Sequence, residues 1–260
     1  GNVFVTGYQV DPNNFGHSDV ITIKYNNSGT QQWASISGAG NNGDDNGTQV
    51  LADNSGGCYV TGHLSQSGQN STFYVQRIAS NGSVTWTKFR QVSTVFSGDY
   101  GGRLLLNSTG NVYALGYVTK NGLNGITLSI YKYKSNGDTI WTYEKLSGNN
   151  YLPVSGNTFF TDQVYPQQMA LDSSGNLYLA NTMNTTYDVQ VVKLKKNGAV
   201  AWMYTNDVPD GNVVPLPNLA INPAGIVWCL FNVHTDNYAA EDWRTIKFPT
   251  GVQFDLRETG

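Results

Sequence analysis

The sequence predicts an all-β fold of five repeated blades, each a four-stranded antiparallel sheet, and three observations predict it. The first is a phrase that returns five times: a basic residue, a large apolar residue, then a polar turn closing on glycine. It reads Lys24-Tyr25-Asn26-Asn27-Ser28-Gly29, Arg77-Ile78-Ala79-Ser80-Asn81-Gly82, Lys132-Tyr133-Lys134-Ser135-Asn136-Gly137, Lys193-Leu194-Lys195-Lys196-Asn197-Gly198 and Lys247-Phe248-Pro249-Thr250-Gly251. The second is a tryptophan four residues after the glycine in the first four copies: Trp33, Trp86, Trp141 and Trp202. In the fifth copy Phe254 stands there, one residue earlier. The third is an interleaved motif of the type Gly-Asn-Val-Phe-Val-Thr-Gly, at Gly1–Gly7, Gly56–Gly62, Gly110–Gly116, Gly175–Ala180 and Gly225–Leu230. A fixed internal period near 50 residues marks solenoids, propellers and arrays. Four short strands per period is the pattern of a β-propeller blade.

Each strand follows from its residues. Strand a is an apolar run ending in Asp or Asn: Val50-Leu51-Ala52-Asp53, Leu104-Leu105-Leu106-Asn107, Met169-Ala170-Leu171-Asp172 and Leu219-Ala220-Ile221-Asn222. A tight glycine turn leads to strand b, the Val-Tyr-Val type of run. Strand c alternates, as in Val20-Ile21-Thr22-Ile23-Lys24-Tyr25, which is the period of a strand. A second glycine turn leads to strand d, which carries the tryptophan. Glycine closes both turns because it tolerates positive φ. Helix-period stripes are absent. The count is b-c-d for the first repeat and a-b-c-d for the other four. The expectation is therefore one five-bladed propeller domain over 1–260, with repeats at 1–42, 43–96, 97–158, 159–210 and 211–260, whose first blade lacks its innermost strand.

Composition narrows the partners. The 260 residues are 39% hydrophobic and 13% charged, with net charge −3. That length buries a sizeable core. Nucleic acid is not expected, because phosphate binding needs a basic patch. No membrane insertion is expected either, because no run approaches the ~18 apolar residues of a spanning helix. The chain opens directly in a strand, which reads as a processed or trimmed product. Cys58 and Cys229 lie in equivalent strands of non-adjacent repeats and read as small buried hydrophobes without a disulfide. The basic residue of strand c is expected to lay its stem over apolar surface between blades while its charge reaches a carboxylate or water. The tryptophan of strand d is expected to pack between blades as well.

The wording Gly1-Asn2-Val3-Phe4-Val5-Thr6-Gly7, Thr22-Ile23-Lys24-Tyr25 through Gly29, and Gln31-Gln32-Trp33 resembles the bacterial SBBP-type β-propeller repeat. The resemblance runs over the whole chain and weakens in the later blades. It implies a secreted or cell-surface module of bacteria, including the Bacteroidetes group, often beside other domains. An extracytoplasmic location and contact with other surface or secretion-system subunits follow from the resemblance alone.

The connections a-to-b and c-to-d are short, whereas b-to-c and d-to-a are long. Because strands alternate in direction, both long classes emerge at one end of each blade, where a ligand site is expected. The d-to-a connections offer Asp44 and Asp45, Asp99 and Tyr100, Asp207 and Asp210, and the longest carries Tyr151, Phe159, Phe160, Asp162 and Tyr165. The b-to-c connections offer Phe15 and His17, His63, and His234, Asp236 and Tyr238. Aromatics with carboxylates and amides suit sugar or peptide recognition; the same aromatics could equally pack their own loops. The expected function is a non-enzymatic binding, adhesion or scaffold module for a glycan or protein.

The alternative is a polysaccharide-acting hydrolase or lyase, for which Asp45 and Asp99 are the pair to inspect: they occupy matching positions, and such chemistry needs two facing carboxylates. Against an enzyme, no Gly-x-Ser-x-Gly elbow is present. The histidines show no His-x-His or His-Glu-x-x-His spacing, so no metal is assigned. Asp44-Asp45-Asn46-Gly47 and Asp11-Pro12-Asn13-Asn14 resemble calcium loops only loosely; calcium is the one cofactor the loops suggest.

Overall fold

The computed structural model describes residues 1–10, 17–38, 43–65, 71–90, 100–119, 126–145, 168–182, 189–206, 217–222, 224–235 and 240–248. Every element among them is a strand. The first sheet is β1 (Val3–Val10), β2 (Ser18–Tyr25) and β3 (Gln31–Ser37). The second is β4 (Asn46–Ala52), β5 (Cys58–Ser65), β6 (Ser71–Ile78) and β7 (Val84–Arg90). The third is β8 (Tyr100–Leu106), β9 (Val112–Thr119), β10 (Ile126–Tyr133) and β11 (Thr139–Lys145). The fourth is β12 (Gln168–Leu171), β13 (Leu177–Thr182), β14 (Val189–Leu194) and β15 (Val200–Asn206). The fifth is β16 (Asn218–Ile221), β17 (Val227–Thr235) and β18 (Ala240–Phe248).

Each sheet keeps chain order, and its neighbours are antiparallel. The fold is thus the five-bladed β-propeller class, one blade per sequence repeat. Among the described residues the first blade shows strands b, c and d. In the fifth, the expected strand around Phe254 lies outside the described residues. By its internal packing the chain divides into two compact units, Gly1–Ser147 with the first three blades and Gly148–Gly260 with the last two.

In the first unit the blades bury both faces of the middle sheet. Successive side chains of a strand point to opposite faces, so β5 sends Cys58 and Val60 one way and Tyr59 the other. Cys58, Val60, Leu64, Tyr74 and Ile78 meet Val20, Phe4 and Trp33 of the first blade. Tyr59, Phe73, Val75 and Trp86 meet Leu104, Val112, Ala114, Tyr131 and Tyr133 of the third. Each fully buried side chain of this size contributes about 1.5–3 kcal/mol. In the second unit Tyr178, Ala180, Val191 and Trp202 pack on Val227, Cys229, Phe231 and Phe248 in the same manner.

The repeated tryptophan serves the next blade. Trp33 Nε1 donates to the Ser80 carbonyl at 2.9 Å, and Trp86 Nε1 donates to that of Ser135 at 2.9 Å. The rings cover the turn glycines there. A Cβ on Gly82 would lie 2.9 Å from Trp33 Cγ, and one on Gly137 3.0 Å from Trp86 Cγ. Both glycines also sit at φ near +90°, a conformation that costs other residues roughly 1–2 kcal/mol.

The basic stripe is structural, with a partner set wider than expected. Lys24 Nζ crosses to the second blade and donates to the carbonyls of Gly56 (2.8 Å) and Ser80 (3.2 Å). Arg77 stays in its own blade on Asp53 at 2.9 Å, and Lys193 lies 4.0 Å from Asp172. The acid or amide that ends strand a also folds its own turn. Asp53 Oδ1 accepts from the amides of Ser55 and Gly57, both at 2.8 Å, and Asn107 and Asp172 repeat the arrangement. Burial alone would raise the Asp53 pKa. The Ser55 hydroxyl, these amides and Arg77 outweigh it and hold the carboxyl below its ordinary value. Cys58 and Cys229 are free and buried; burial pushes both thiols up to about 12, so neither is a nucleophile.

Candidate binding site at the long-connection end

Connections of two constructions alternate along each sheet. The a-to-b turns span 53–57, 107–111, 172–176 and 222–226, and the c-to-d turns 26–30, 79–83, 134–138 and 195–199. Seven of the eight close with the same pair of backbone bonds, for example Gly82 N to Ala79 O at 3.0 Å with Ala79 N to Ser83 O at 2.8 Å, and the 53–57 turn shares the second of them, Asp53 N to Gly57 O at 2.9 Å. At the opposite end of the sheets the d-to-a connections span 38–45, 91–99, 146–167 and 207–217. The short turns are all of one length, whereas the d-to-a connections differ in length from blade to blade.

The described part of the long end is richest where the first two blades meet. Asp44 forms an isolated parallel bridge with Ser18. The Asp45 amide donates to Ser18 O at 2.9 Å, and Ser18 Oγ donates to Asp45 O at 3.2 Å. The Ser65 amide donates to Asp45 Oδ1 at 2.6 Å, and Ser65 Oγ donates to Asp44 O at 2.6 Å. A Cβ on Gly38 would collide with Asp19 Oδ1 and lie 3.2 Å from Asp45 Oδ2, so two carboxylates flank that glycine. The Tyr74 hydroxyl, and His17 Nδ1 beside Ser18 in the chain, are buried without a hydrogen-bond partner among the described residues. Burial pushes the Tyr74 phenol far up, and the Asp45 carboxylate adds to the push. Burial lowers the pKa of His63, against a smaller opposite effect of Asp44. The cluster thus holds a neutral phenol and two acceptor carboxylates, which suits hydrogen bonding to hydroxyls and amides.

The structure brings one sequence candidate, Asp45, into this cluster, and His17 stands next to it in the chain, one residue before Ser18. Asp45 is only 1% exposed and caps a loop amide. Two others move from connection to strand. Tyr100 opens β8 opposite Tyr117, where a bulge between Gly101 and Arg103 lets the pairing continue. His234 lies on β17 opposite Glu241, because the β17–β18 hairpin runs on to Thr235 and Ala240. His63 likewise lies on β5. Asp99, Tyr151, Phe159, Phe160, Asp162, Tyr165 and Tyr238 lie outside the described residues. Among the described residues no group of three or more His, Cys, Asp or Glu is arranged to hold a metal ion.

Asp19 and Tyr74 were not singled out from the sequence. A signal for Tyr74 exists: three residues before the basic residue of strand c the repeats read Ile21, Tyr74, Ser129, Gln190 and Arg244. Polar groups thus enter a column that begins apolar, and Tyr74, Ser129 and Gln190 are all buried.

No protein-family model and no curated protein matches the chain. Among solved structures, it is similar to a protein of unknown function from Bacteroides caccae, at 12% identity and a TM-score of 0.48, over 93% of this chain and 72% of that one. It is similar to a thermostable family-43 glycoside hydrolase at 10% identity and a TM-score of 0.41, over 96% and 92%. It is also similar to a periplasmic gluconolactonase of Pseudomonas aeruginosa, at 12% identity and a TM-score of 0.35, over 95% and 86%. At these scores the likenesses carry no argument about substrate or site.

Proposed function

We propose that the chain is a non-enzymatic, extracytoplasmic binding or adhesion module that recognises a glycan or a protein through the long connections of its blades. The observation that carries this reading is the contrast between the two ends of the sheets. The repeated residues Trp33, Trp86, Lys24, Arg77, Asp53 and Asn107 are all engaged in holding blades and short turns together. What varies between repeats is the long end, and a rigid scaffold that presents variable connections is the arrangement of a recognition module. Asp45, one of the two carboxylates on which the enzyme alternative rests, is buried and caps Ser65, which favours binding over hydrolysis. The resemblance of Gly1–Gly7, Thr22–Gly29 and Gln31–Trp33 to the SBBP-type repeat supports placing the module at a bacterial cell surface.

A glycan array probed with the whole chain, with and without calcium, tests the proposal, followed by pull-down from the native cell surface. The expected result is selective retention of one saccharide class or one surface protein, with no cleavage of the retained glycan. Release of shortened saccharides from the array would replace the proposal with the hydrolase or lyase reading.

A further inference from the structure

Two carboxylates from different elements face one another where the first two blades meet. Asp19 is the second residue of β2, and Asp45 closes the connection that leads into β4. They meet at Gly38, where that connection leaves β3. A Cβ on Gly38 would collide with Asp19 Oδ1 and lie 3.2 Å from Asp45 Oδ2, so both oxygens border one space about the size of a methyl group. Gly38 is not among the glycines at positive φ. Glycine at this position therefore supplies room rather than a backbone conformation. Asp45 is held in place by its neighbours. The Ser65 amide donates to Asp45 Oδ1 at 2.6 Å, and the Asp45 amide donates to Ser18 O at 2.9 Å, next to Asp19 in β2. Gly38 is exposed and Asp19 half-buried, so ions reach the space from solvent.

Two like charges on one small space repel unless a proton or a cation lies between them. The described ion pairs stand at short turns, Arg77 with Asp53, Lys134 with Asp138 and Lys193 with Asp172, and none of them reaches Asp19. A second, independent observation comes from Tyr74. The residue is 0% exposed, and its hydroxyl has no hydrogen-bond partner among the described residues. Burial, and after it the Asp45 carboxylate, push this phenol up, so the orphaned oxygen lies toward the acids. It can ligate an ion or accept from a water in the ion's shell. We propose that Asp19 and Asp45 hold a calcium ion in the space beside Gly38. Carboxylate and phenol oxygens are hard donors, which suit calcium or magnesium and not the softer metals. Calcium accepts an irregular shell of about 6–8 oxygens completed by carbonyls and water, whereas magnesium demands a near-ideal octahedron. Such a shell needs only two acidic side chains, fewer than the group of three that is absent among the described residues. The ion would tie the 38–45 connection to β2. This holds whatever the long connections recognise, because the test reads the ion alone.

The test titrates calcium into the whole chain by calorimetry after a chelator has removed metal. The expected result is one ion per chain with a Kd of about 10⁻³ M or tighter. Tm should rise by roughly 3–6 °C at about tenfold excess over Kd. Asp19→Asn removes one carboxylate. Gly38→Ala keeps both and puts a methyl group into the space; the end of the Asp19 side chain can swing aside, so this variant folds. Each should weaken calcium by about tenfold or more. In chelator Asp19→Asn should be no less stable than the parent, because it relieves the repulsion. Asp138→Asn, in an exposed pair with Lys134 at a short turn, should leave the affinity unchanged. Three results would overturn the proposal. One is neither heat nor a Tm shift at about 10 mM calcium. Another is an affinity unchanged in both Asp19→Asn and Gly38→Ala, which would place the ion elsewhere. The third is magnesium bound as tightly as calcium.

Discussion

Gly82→Ala is expected to lower stability by about 2–5 kcal/mol, and Gly29→Ala by only about 1–2 kcal/mol. Both glycines close the same turn at positive φ, +88° and +79°, so both variants carry the left-handed backbone term. Only Gly82 has an indole against it, with Trp33 Cγ and Cδ2 at 2.9 and 3.0 Å from the Cβ position. The ring is held by its bond to Ser80 O and by Phe4, whose centroid is 5.9 Å away. It cannot yield without opening the contact between the first two blades. Denaturant unfolding of the two variants measures the difference directly, provided the slope stays that of the parent. Equal losses would show that the Trp33 ring does not lie on the Gly82 turn.

Trp86→Ala is expected to cost about 3–5 kcal/mol, the range for removing a large core aromatic. The indole packs on Tyr59 and Tyr133 at 5.8 and 5.9 Å between centroids, covers Gly137 and donates to Ser135 O. Trp86→Phe keeps most of the packing and loses the donor. It should cost about 0.5–1.5 kcal/mol for the hydrogen bond, plus whatever contact the smaller ring forfeits. For a chain of this size each kcal/mol lowers Tm by roughly 2–4 °C, so calorimetry separates the two variants. A loss below about 1 kcal/mol for the alanine variant would mean that the ring is not part of the core.

The parts of the fold legible in the sequence were those that repeat. Trp33 and Trp86 follow their glycines at one spacing because each must reach the turn of the next blade. Asp53, Asn107 and Asp172 end strand a because their side chains fold the turn that follows. A feature imposed by the same contact in every blade leaves a periodic trace. Lys24 shows the limit: its position was plain, but its acceptors are backbone carbonyls of the next blade, which no residue type announces. The site was less legible for the same reason. Residues at the long end answer to no repeated contact, so Asp45 could be named from its place before strand a, while its burial against Ser65 could not. The polar residues beside Tyr100 and His234 read as connection, whereas cross-strand pairing carries β8 and β17 further than composition suggests.

The most direct test of the assignment of recognition to the long connections is the affinity of the retained glycan or protein for the chain and for its Tyr151→Ala and Phe159→Ala variants, with Tm recorded for each. The account predicts that at least one variant binds about tenfold or more weakly, a loss of about 1.4 kcal/mol, with Tm within a few degrees of the parent. Unchanged affinity in both variants, or a loss only in proportion to unfolding, would contradict it and take recognition away from the long connections.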